Sequence, residues 1–240
     1  MNKSCLPIIS KEPLLDFIIV SKLFYPDADS DNYKFKQNNK YRSLLKKNVY
    51  VDNTVRIGKN FSVGFNSVLK KNIRIGNNVV IGSNCSIANA IIGDNVIIND
   101  GTVIGKIGYG FKAIKNKLTF IPHIGCVKIS DNVYIGSNCT IDRGSISNTS
   151  IGKFTMIDNL VHIAHNVQIG SYCFIAGQVG IAGSSVIGDK CMIGGQAGVS
   201  GHLKIGNNVN IAGHSGILNN LNDGSKVIGF PSMSVRDFIK

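Results

Sequence analysis

One aliphatic residue in every six sets the pattern of this chain. Ile151, Ile157, Ile163, Ile169, Ile175, Ile181, Ile187, Ile193, Val199, Ile205, Ile211 and Ile217 fall at intervals of six without a break, and a Gly follows many of them. A helix repeats its face every 3.6 residues and a strand every two, so neither alone sustains a beat of six. Short strands joined by tight turns do, with three hexads closing one coil of 18 residues, and the sequence predicts an all-β solenoid of hexapeptide repeats. The beat residue and the residue four places later point inward; the others face outward. Residues one coil apart then lie above one another at about 4.8 Å, the spacing of neighbouring strands.

The beat also divides the chain. It starts at Val51, resets by one residue after Ile87, and continues through Ile92, Ile98 and Ile104. It stops between Gly105 and Gly125, returns at Ile129, slips at Ser145–Asn148 and then runs to Ile217. The expected organisation is a short N-terminal segment over residues 1–45, with an amphipathic helix over Leu14–Phe24 and a polar loop over Asp27–Asn39. A hexapeptide-repeat domain follows over 46–232 with an inserted loop at 105–125, and a tail over 233–240 closes the chain. Long insertions in solenoids tend to lie on the binding face, which places the loop at the expected site.

Composition narrows the function. The 240 residues are 43% hydrophobic, with no Trp and 27 Gly, which suits a narrow aliphatic core with tight corners. Lys and Arg total 26 against 14 Asp and Glu, a net charge of +12 that favours an acidic partner. The chain has no recognition-helix, zinc-finger or aromatic-basic pattern, so nucleic acid is not the expected partner. An acidic carrier protein or a phosphorylated substrate fits the charge, and so does a Lys- and Asn-rich composition without functional meaning. The six cysteines form no Cys-x-x-Cys pair. Cys85, Cys139, Cys173 and Cys191 each stand four places after a beat Ile, which reads as reduced core filler in a cytoplasmic protein. The apolar run Phe17–Val20 follows Lys11, Glu12 and Asp16 and is too short for a signal peptide, and nothing approaches a membrane span. No Walker loop, Rossmann fingerprint, nucleophile elbow or metal-ligand spacing is present, so neither a cofactor nor a metal is expected.

The beat serves as a ruler for the outer face. His165 falls two places after Ile163 and points outward, Gly183 lies one coil on, and Gly201 lies two coils on with His202 beside it. A base facing an open backbone N–H suits direct acyl transfer: the imidazole deprotonates an amine or hydroxyl while the N–H receives the oxyanion. Asp158, with Asn159 next to it, either orients the imidazole or caps a turn. His123, His162 and His214 read as surface or interface residues. The flat sides of a solenoid can pack on copies of themselves, and because proteins of this class commonly form trimers with sites in the clefts, a homotrimer is expected.

These residues also resemble a known family. Thr140-Ile-Asp-Arg-Gly144, Ile157-Asp-Asn159, His162-Ile-Ala-His-Asn-Val167, Ala182-Gly183, Met192-Ile-Gly-Gly195 and Ser200-Gly-His-Leu203 occur in the order found in the UDP-3-O-acylglucosamine N-acyltransferases of lipid A biosynthesis. The Gly-Tyr-Gly-Phe loop ending at Ile121-Pro122 is similar to theirs as well. The resemblance implies a left-handed parallel β-helix and a homotrimer that moves a 3-hydroxyacyl chain from acyl carrier protein to the 2-amine of a UDP-linked glucosamine. It implies His165 as base, Gly183 as oxyanion-hole glycine, His202 as second active-site histidine, and Asp158 and Asn159 as the substrate-binding and base-supporting pair. The chain departs from the family in having only a short segment where a uridine-gripping domain is usual, and in lacking the C-terminal helical extension. Asn219 stands where an Arg is frequent, and Gly216 where a bulkier residue limits the acyl chain. Three other readings stay open: the sister O-acyltransferases of UDP-N-acetylglucosamine, an acetyl-CoA-dependent sugar N-acetyltransferase of the same fold, and a non-catalytic scaffold. The register of His165 and Gly183 speaks against the last.

Overall fold

A computed structural model describes residues 8–26, 28, 36–114 and 117–229. The chain winds into a parallel β-helix whose three sheets form the sides of a prism. The first sheet runs from Tyr50–Val51 through Thr140–Asp142, His162–Ile163, Gly180–Ile181 and Gly198–Val199 to Gly216–Ile217. The second runs from Arg56–Ile57 to Lys204–Ile205, and the third from Ser62–Val63 to Lys226–Val227. Each coil visits the three in turn, and the beat residues stack in register, as in the pairs Ile163 with Ile181, Ile169 with Ile187 and Ile175 with Ile193. The core is the stack of these side chains, and each fully buried Ile or Val contributes about 1.5–3 kcal/mol of transfer free energy.

The second inward position carries more than filler. Cys85, Cys139, Cys173 and Cys191 are buried, as expected of core residues, and none is joined to another by a disulfide. Ser67, Thr102, Thr155 and Ser185 occupy equivalent places and donate their hydroxyls to carbonyls of the next coil, Ser67 to Gly82 O at 2.8 Å and Thr155 to Gly170 O at 2.9 Å. The thiols repeat this with Sγ contacts to Asp158 O and Gly188 O at 3.1 Å. Burial pushes the Cys85 and Cys139 thiols up.

Most corners turn through one residue in the left-handed region. In the N-terminal coils that residue is Asn, at Asn60, Asn66, Asn72, Asn78 and Asn84, with φ between 55° and 61°. Asn tolerates this region because its side chain hydrogen-bonds locally. Here the amides also form ladders between coils, Asn60 to Asn78 to Asn95 at 2.9 Å each. From Phe154 onward the same position holds residues such as Leu160, Asn166, Tyr172, Ser184, Lys190 and His202.

Two irregularities shape one edge of the prism, the corner between the first and second sheets. The expected loop leaves after Val103–Lys106 and returns at Val127–Ile129, and it contains a hairpin of Phe111–Ile114 against Lys117–Phe120. At the slip near Ser145–Asn148, His162 pairs with Thr140, so this coil is four residues longer than the regular one. Before the coils lie an α-helix, Pro13–Phe24, opened by Pro in its first turn, and a 3-10 helix over Asn39–Lys47. The α-helix is not the amphipathic element expected: Ile18 is buried but Ile19, Val20, Leu23 and Phe24 are all exposed. Residues 29–35 of the expected polar loop and the tail at 233–240 lie outside the described residues. No described helix is long and apolar enough to cross a membrane.

Candidate active site

His165 sits on this edge, half-buried, in the corner that follows the strand His162–Ile163. One coil on, a Cβ placed on Gly183 would lie 2.7 Å from both Cε1 and Nε2 of the imidazole. The ring therefore rests on Gly183, and any side chain there would displace it. A second glycine has a different role. At the equivalent turn position of many other corners the backbone N–H is capped from the next coil, as Ser171 N is by Asp189 Oδ1 at 2.7 Å and Ser137 N by Asn159 Oδ1 at 2.7 Å. One coil above Gly183 stands Gly201, which has no side chain to offer, and the Gly183 N–H meets no acceptor among the described residues. Gly183 makes room for the ring, and Gly201 leaves the Gly183 donor open.

The tautomer of His165 follows from Asn166. The Asn166 Oδ1 accepts from Ser145 N at 3.0 Å, and its Nδ2 donates to Ser147 O at 3.1 Å and Ser147 Oγ at 2.7 Å, so the amide has only one orientation. His165 Nδ1 lies 3.0 Å from the same Oδ1 and must be the donor. The neutral ring then carries its lone pair on Nε2, on the Gly183 side. Ser145 and Ser147 belong to the four-residue slip, so the irregularity in the beat builds the support of the base.

Asp158 is elsewhere. It is exposed on the corner between the third and first sheets, where it accepts from Asn159 N at 2.7 Å and Asn159 Nδ2 at 2.9 Å. Within one chain it caps a turn, and Asn166 orients the imidazole. His202 is exposed two coils above His165, and its N–H donates to Gly183 O at 3.0 Å. His123, expected at the surface or at an interface, is instead buried within the chain: its ring is 0% exposed and meets that of His165 edge-on, with centroids 5.4 Å apart and planes 81° apart. His162 is partly exposed, with Nδ1 2.7 Å from Thr140 Oγ1 and Nε2 4.0 Å from the buried Asp142 carboxylate. Asp142 also holds Lys106 Nζ at 2.9 Å, which ties the start of the inserted loop to the floor of the site. That loop then lays Gly108 on the base, where an added Cβ would lie 2.9 Å from His165 Cβ.

A groove of about 770 Å³ runs from His162 and His165 along the first sheet. Its floor is a glycine column, Gly180, Gly198 and Gly216, in register above His162, and a Cβ at any of the three would meet nothing within 4 Å. Ala164, Ala182, Ser200 and Leu218 line one side and Tyr109 of the inserted loop reaches its mouth. The groove is long, shallow and mostly apolar. Among the described residues no three or more His, Cys, Asp or Glu side chains are grouped to hold a metal.

The sequence matches the bacterial transferase hexapeptide (six repeats) family over residues 54–89, 72–106 and 148–183. It is 50% identical over 82 residues to UDP-3-O-acylglucosamine N-acyltransferase 2 of Nitrobacter winogradskyi, covering 34% of this chain and 24% of that protein. It is 54% identical over 82 residues to UDP-3-O-acylglucosamine N-acyltransferase of Rickettsia conorii, with the same coverage. The matched segment thus spans about a quarter of the length of these relatives. Among solved structures, the fold resembles LpxA from Acinetobacter baumannii (TM-score 0.68, 24% identity, 76% of this chain and 70% of that one). It also resembles the UDP-N-acetylglucosamine acyltransferase from Campylobacter jejuni (TM-score 0.64, 24% identity, 72% of this chain and 66% of that one). The chain carries the hexapeptide repeat of bacterial transferases and, over 34% of its length, is similar to the UDP-3-O-acylglucosamine N-acyltransferases.

Proposed function

We propose that this protein is an N-acyltransferase of lipid A biosynthesis, moving a 3-hydroxyacyl chain from acyl carrier protein to the 2-amine of a UDP-linked 3-O-acylglucosamine in the cytoplasm. The observation that carries the reading is the facing pair of His165 Nε2, with its lone pair fixed by Asn166, and the open Gly183 N–H. The amine attacks the thioester carbonyl as Nε2 takes its proton, and the developing oxyanion lies at the Gly183 N–H. Collapse of the tetrahedral intermediate forms the amide and breaks the C–S bond, and the imidazolium returns its proton to the leaving thiolate. No covalent enzyme intermediate is required.

The glycine-floored groove supports a long acyl group over acetyl. From the level of Gly180 to that of Gly216 is two coils, about 10 Å of apolar trough beside the base at the strand spacing. The charge of +12 suits an acidic carrier. A trimer fits the third sheet, whose outer column exposes Tyr134, Met156, Phe174 and Met192 and needs a cover. In that assembly Asp158, Asn159 and His202 would serve the substrate, with Asp158 and Asn159 reaching the site of a neighbouring copy.

The test offers the protein acyl carrier protein loaded with a 3-hydroxyacyl chain, and acetyl-CoA in competition, with a UDP-linked 3-O-acylglucosamine as acceptor. Mass spectrometry of the products should show the long-chain amide alone, and His165→Ala should lower its rate by two or more orders of magnitude while the trimer persists in light scattering. Exclusive use of acetyl-CoA, or near-normal turnover without His165, would overturn the assignment.

A further inference from the structure

The buried histidine beside the base has no part in the mechanism above. His123 lies on the returning arm of the inserted loop, and its ring is pinned on several sides. Its Nδ1 lies 2.9 Å from Ile121 O; a carbonyl only accepts, so Nδ1 is the donor. Its backbone N–H donates to Ala28 O at 2.9 Å, an oxygen that also accepts from Arg143 Nη2 at 3.1 Å. Gly110, on the outgoing arm, closes over the ring: a Cβ there would stand 2.8 Å from His123 Cε1. The segment before the coils, both arms of the loop and, through Ala28 O, the buried Arg143 therefore converge on one residue. What that imidazole touches is His165, at 5.4 Å and nearly perpendicular.

The base needs such a neighbour. One hydrogen bond, from His165 Nδ1 to Asn166, fixes one end of the ring, and an imidazole held at one end can still swing about that bond. Two surfaces stop the swing. Gly108 packs against the His165 Cβ and Cδ2 edge, and His123 presents a rigid ring across it. Edge-on aromatic pairs have a preferred geometry, and this one selects the orientation in which Nε2 faces Gly183.

We propose that His123 is a positioning residue: it holds the imidazole of His165 in the one orientation where Nδ1 meets Asn166 and Nε2 meets the incoming amine. It touches neither substrate nor reacting atoms. The inference rests on the reading of His165 as base, and it adds that the inserted loop and residue 28 set the alignment of that base. The loop is then part of the active-site frame.

The test uses the full chain. In His123→Ala, kcat should fall about tenfold to hundredfold, the scale of a misaligned reactive group, with KM unchanged. The ¹⁵N resonances of His165 should move from a single Nδ1–H tautomer towards an average of two. His123→Phe keeps a ring against His165 and should recover most of kcat and the single tautomer. Gly110→Ala, which pushes His123 without reaching His165, should reproduce the Ala effect in milder form and covers the case in which His123→Ala fails to fold. Wild-type kcat and an unmoved His165 tautomer in both His123→Ala and Gly110→Ala would overturn the proposal. So would equal losses in the Ala and Phe variants with the His165 signals unchanged. If His165→Ala itself keeps its turnover, the base reading fails, and the ¹⁵N measurement still decides whether His123 orients that ring.

Discussion

Asn166 Oδ1 accepts from His165 Nδ1 at 3.0 Å, and the same oxygen accepts from the backbone N–H of Ser145. The residue at the left-handed corner position, φ +63°, is thus also the one that fixes which nitrogen of the base is free. Replacing Asn166 with Gly keeps a residue at ease with that φ and removes only the amide. The expected outcome is a fall in kcat of about tenfold to hundredfold, and a loss of about 1–3 kcal/mol of stability as the Ser145 and Ser147 groups lose their partners. Single-turnover kinetics with urea denaturation measures both. A variant with full activity would show that the ring is oriented by other means.

Gly183 and Gly201 should respond differently to substitution. Gly183→Ala drives a methyl to 2.7 Å from the imidazole and should abolish activity by displacing the base. Gly201→Asn installs the cap used elsewhere in the chain, an Oδ1 on the N–H one coil below, as Asp189 supplies to Ser171. It should leave His165 in place and close the donor, with a loss in kcat of about a hundredfold to a thousandfold, the usual effect of removing an oxyanion-hole hydrogen bond. Melting temperature should hold or rise. Activity near normal in Gly201→Asn, with the ¹H–¹⁵N signal of Gly183 showing the new hydrogen bond, would remove Gly183 from the chemistry.

The fold was legible in the sequence because a period of six has one structural solution, and that period carried the register of His165, Gly183 and Gly201 with it. The support of the base was hidden for the same reason. Asn166 occupies a corner position where Asn recurs at Asn60, Asn72 and Asn84, so its second role leaves no mark in the pattern. Asp158 reads in the sequence as either orienter or turn cap because it lies seven residues before His165, and that spacing leads back to a different corner of the prism, where it caps the turn. His123 was out of reach of any ruler: it belongs to the segment where the beat stops, and only the folded path of the loop carries it to the base. The one recoverable clue was the slip at Ser145–Asn148, where extra residues in an otherwise strict coil mark a place built for something besides stacking.

The change of corner residue after Asn138 has a cost in stability. Lys190 holds φ +56° on an exposed corner, a region that L-residues other than Asn, Asp and Gly enter at a penalty on the order of 1 kcal/mol. Lys190→Asn should relieve it and extend an amide contact towards Asn208, the next residue in that column, as Asn60 does with Asn78. A rise in unfolding free energy of about 0.5–1 kcal/mol without change in activity is expected, read by thermal melting beside the wild type. A fall in stability would mean that the lysine contributes more at this exposed corner than it loses in backbone strain.

Acid should loosen the coils through the same inter-coil caps. Asp131 accepts from Asp94 N at 3.0 Å and pairs with Lys153 Nζ at 3.1 Å, and Asp223 accepts from Asn207 N at 2.8 Å. The backbone N–H, first, holds each carboxyl below the ordinary carboxylate value, with Lys153 adding to the effect at Asp131 and the Asn207 side chain at Asp223. A carboxyl whose pKa is lower folded than unfolded contributes its stabilisation in full above the unfolded value, and loses it as the pH falls through the folded one. Stability should therefore be flat with respect to these groups near neutrality and decline below about pH 4, the ordinary carboxylate range. In Asp131→Asn the amide oxygen can still accept from Asp94 N, so the variant should match the wild type at pH 7 apart from the exposed Lys153 pair and show a shallower decline in acid. Thermal melts from pH 7 to pH 2.5 test this, and parallel curves for the two proteins would show that the cap at Asp131 does not titrate with folding.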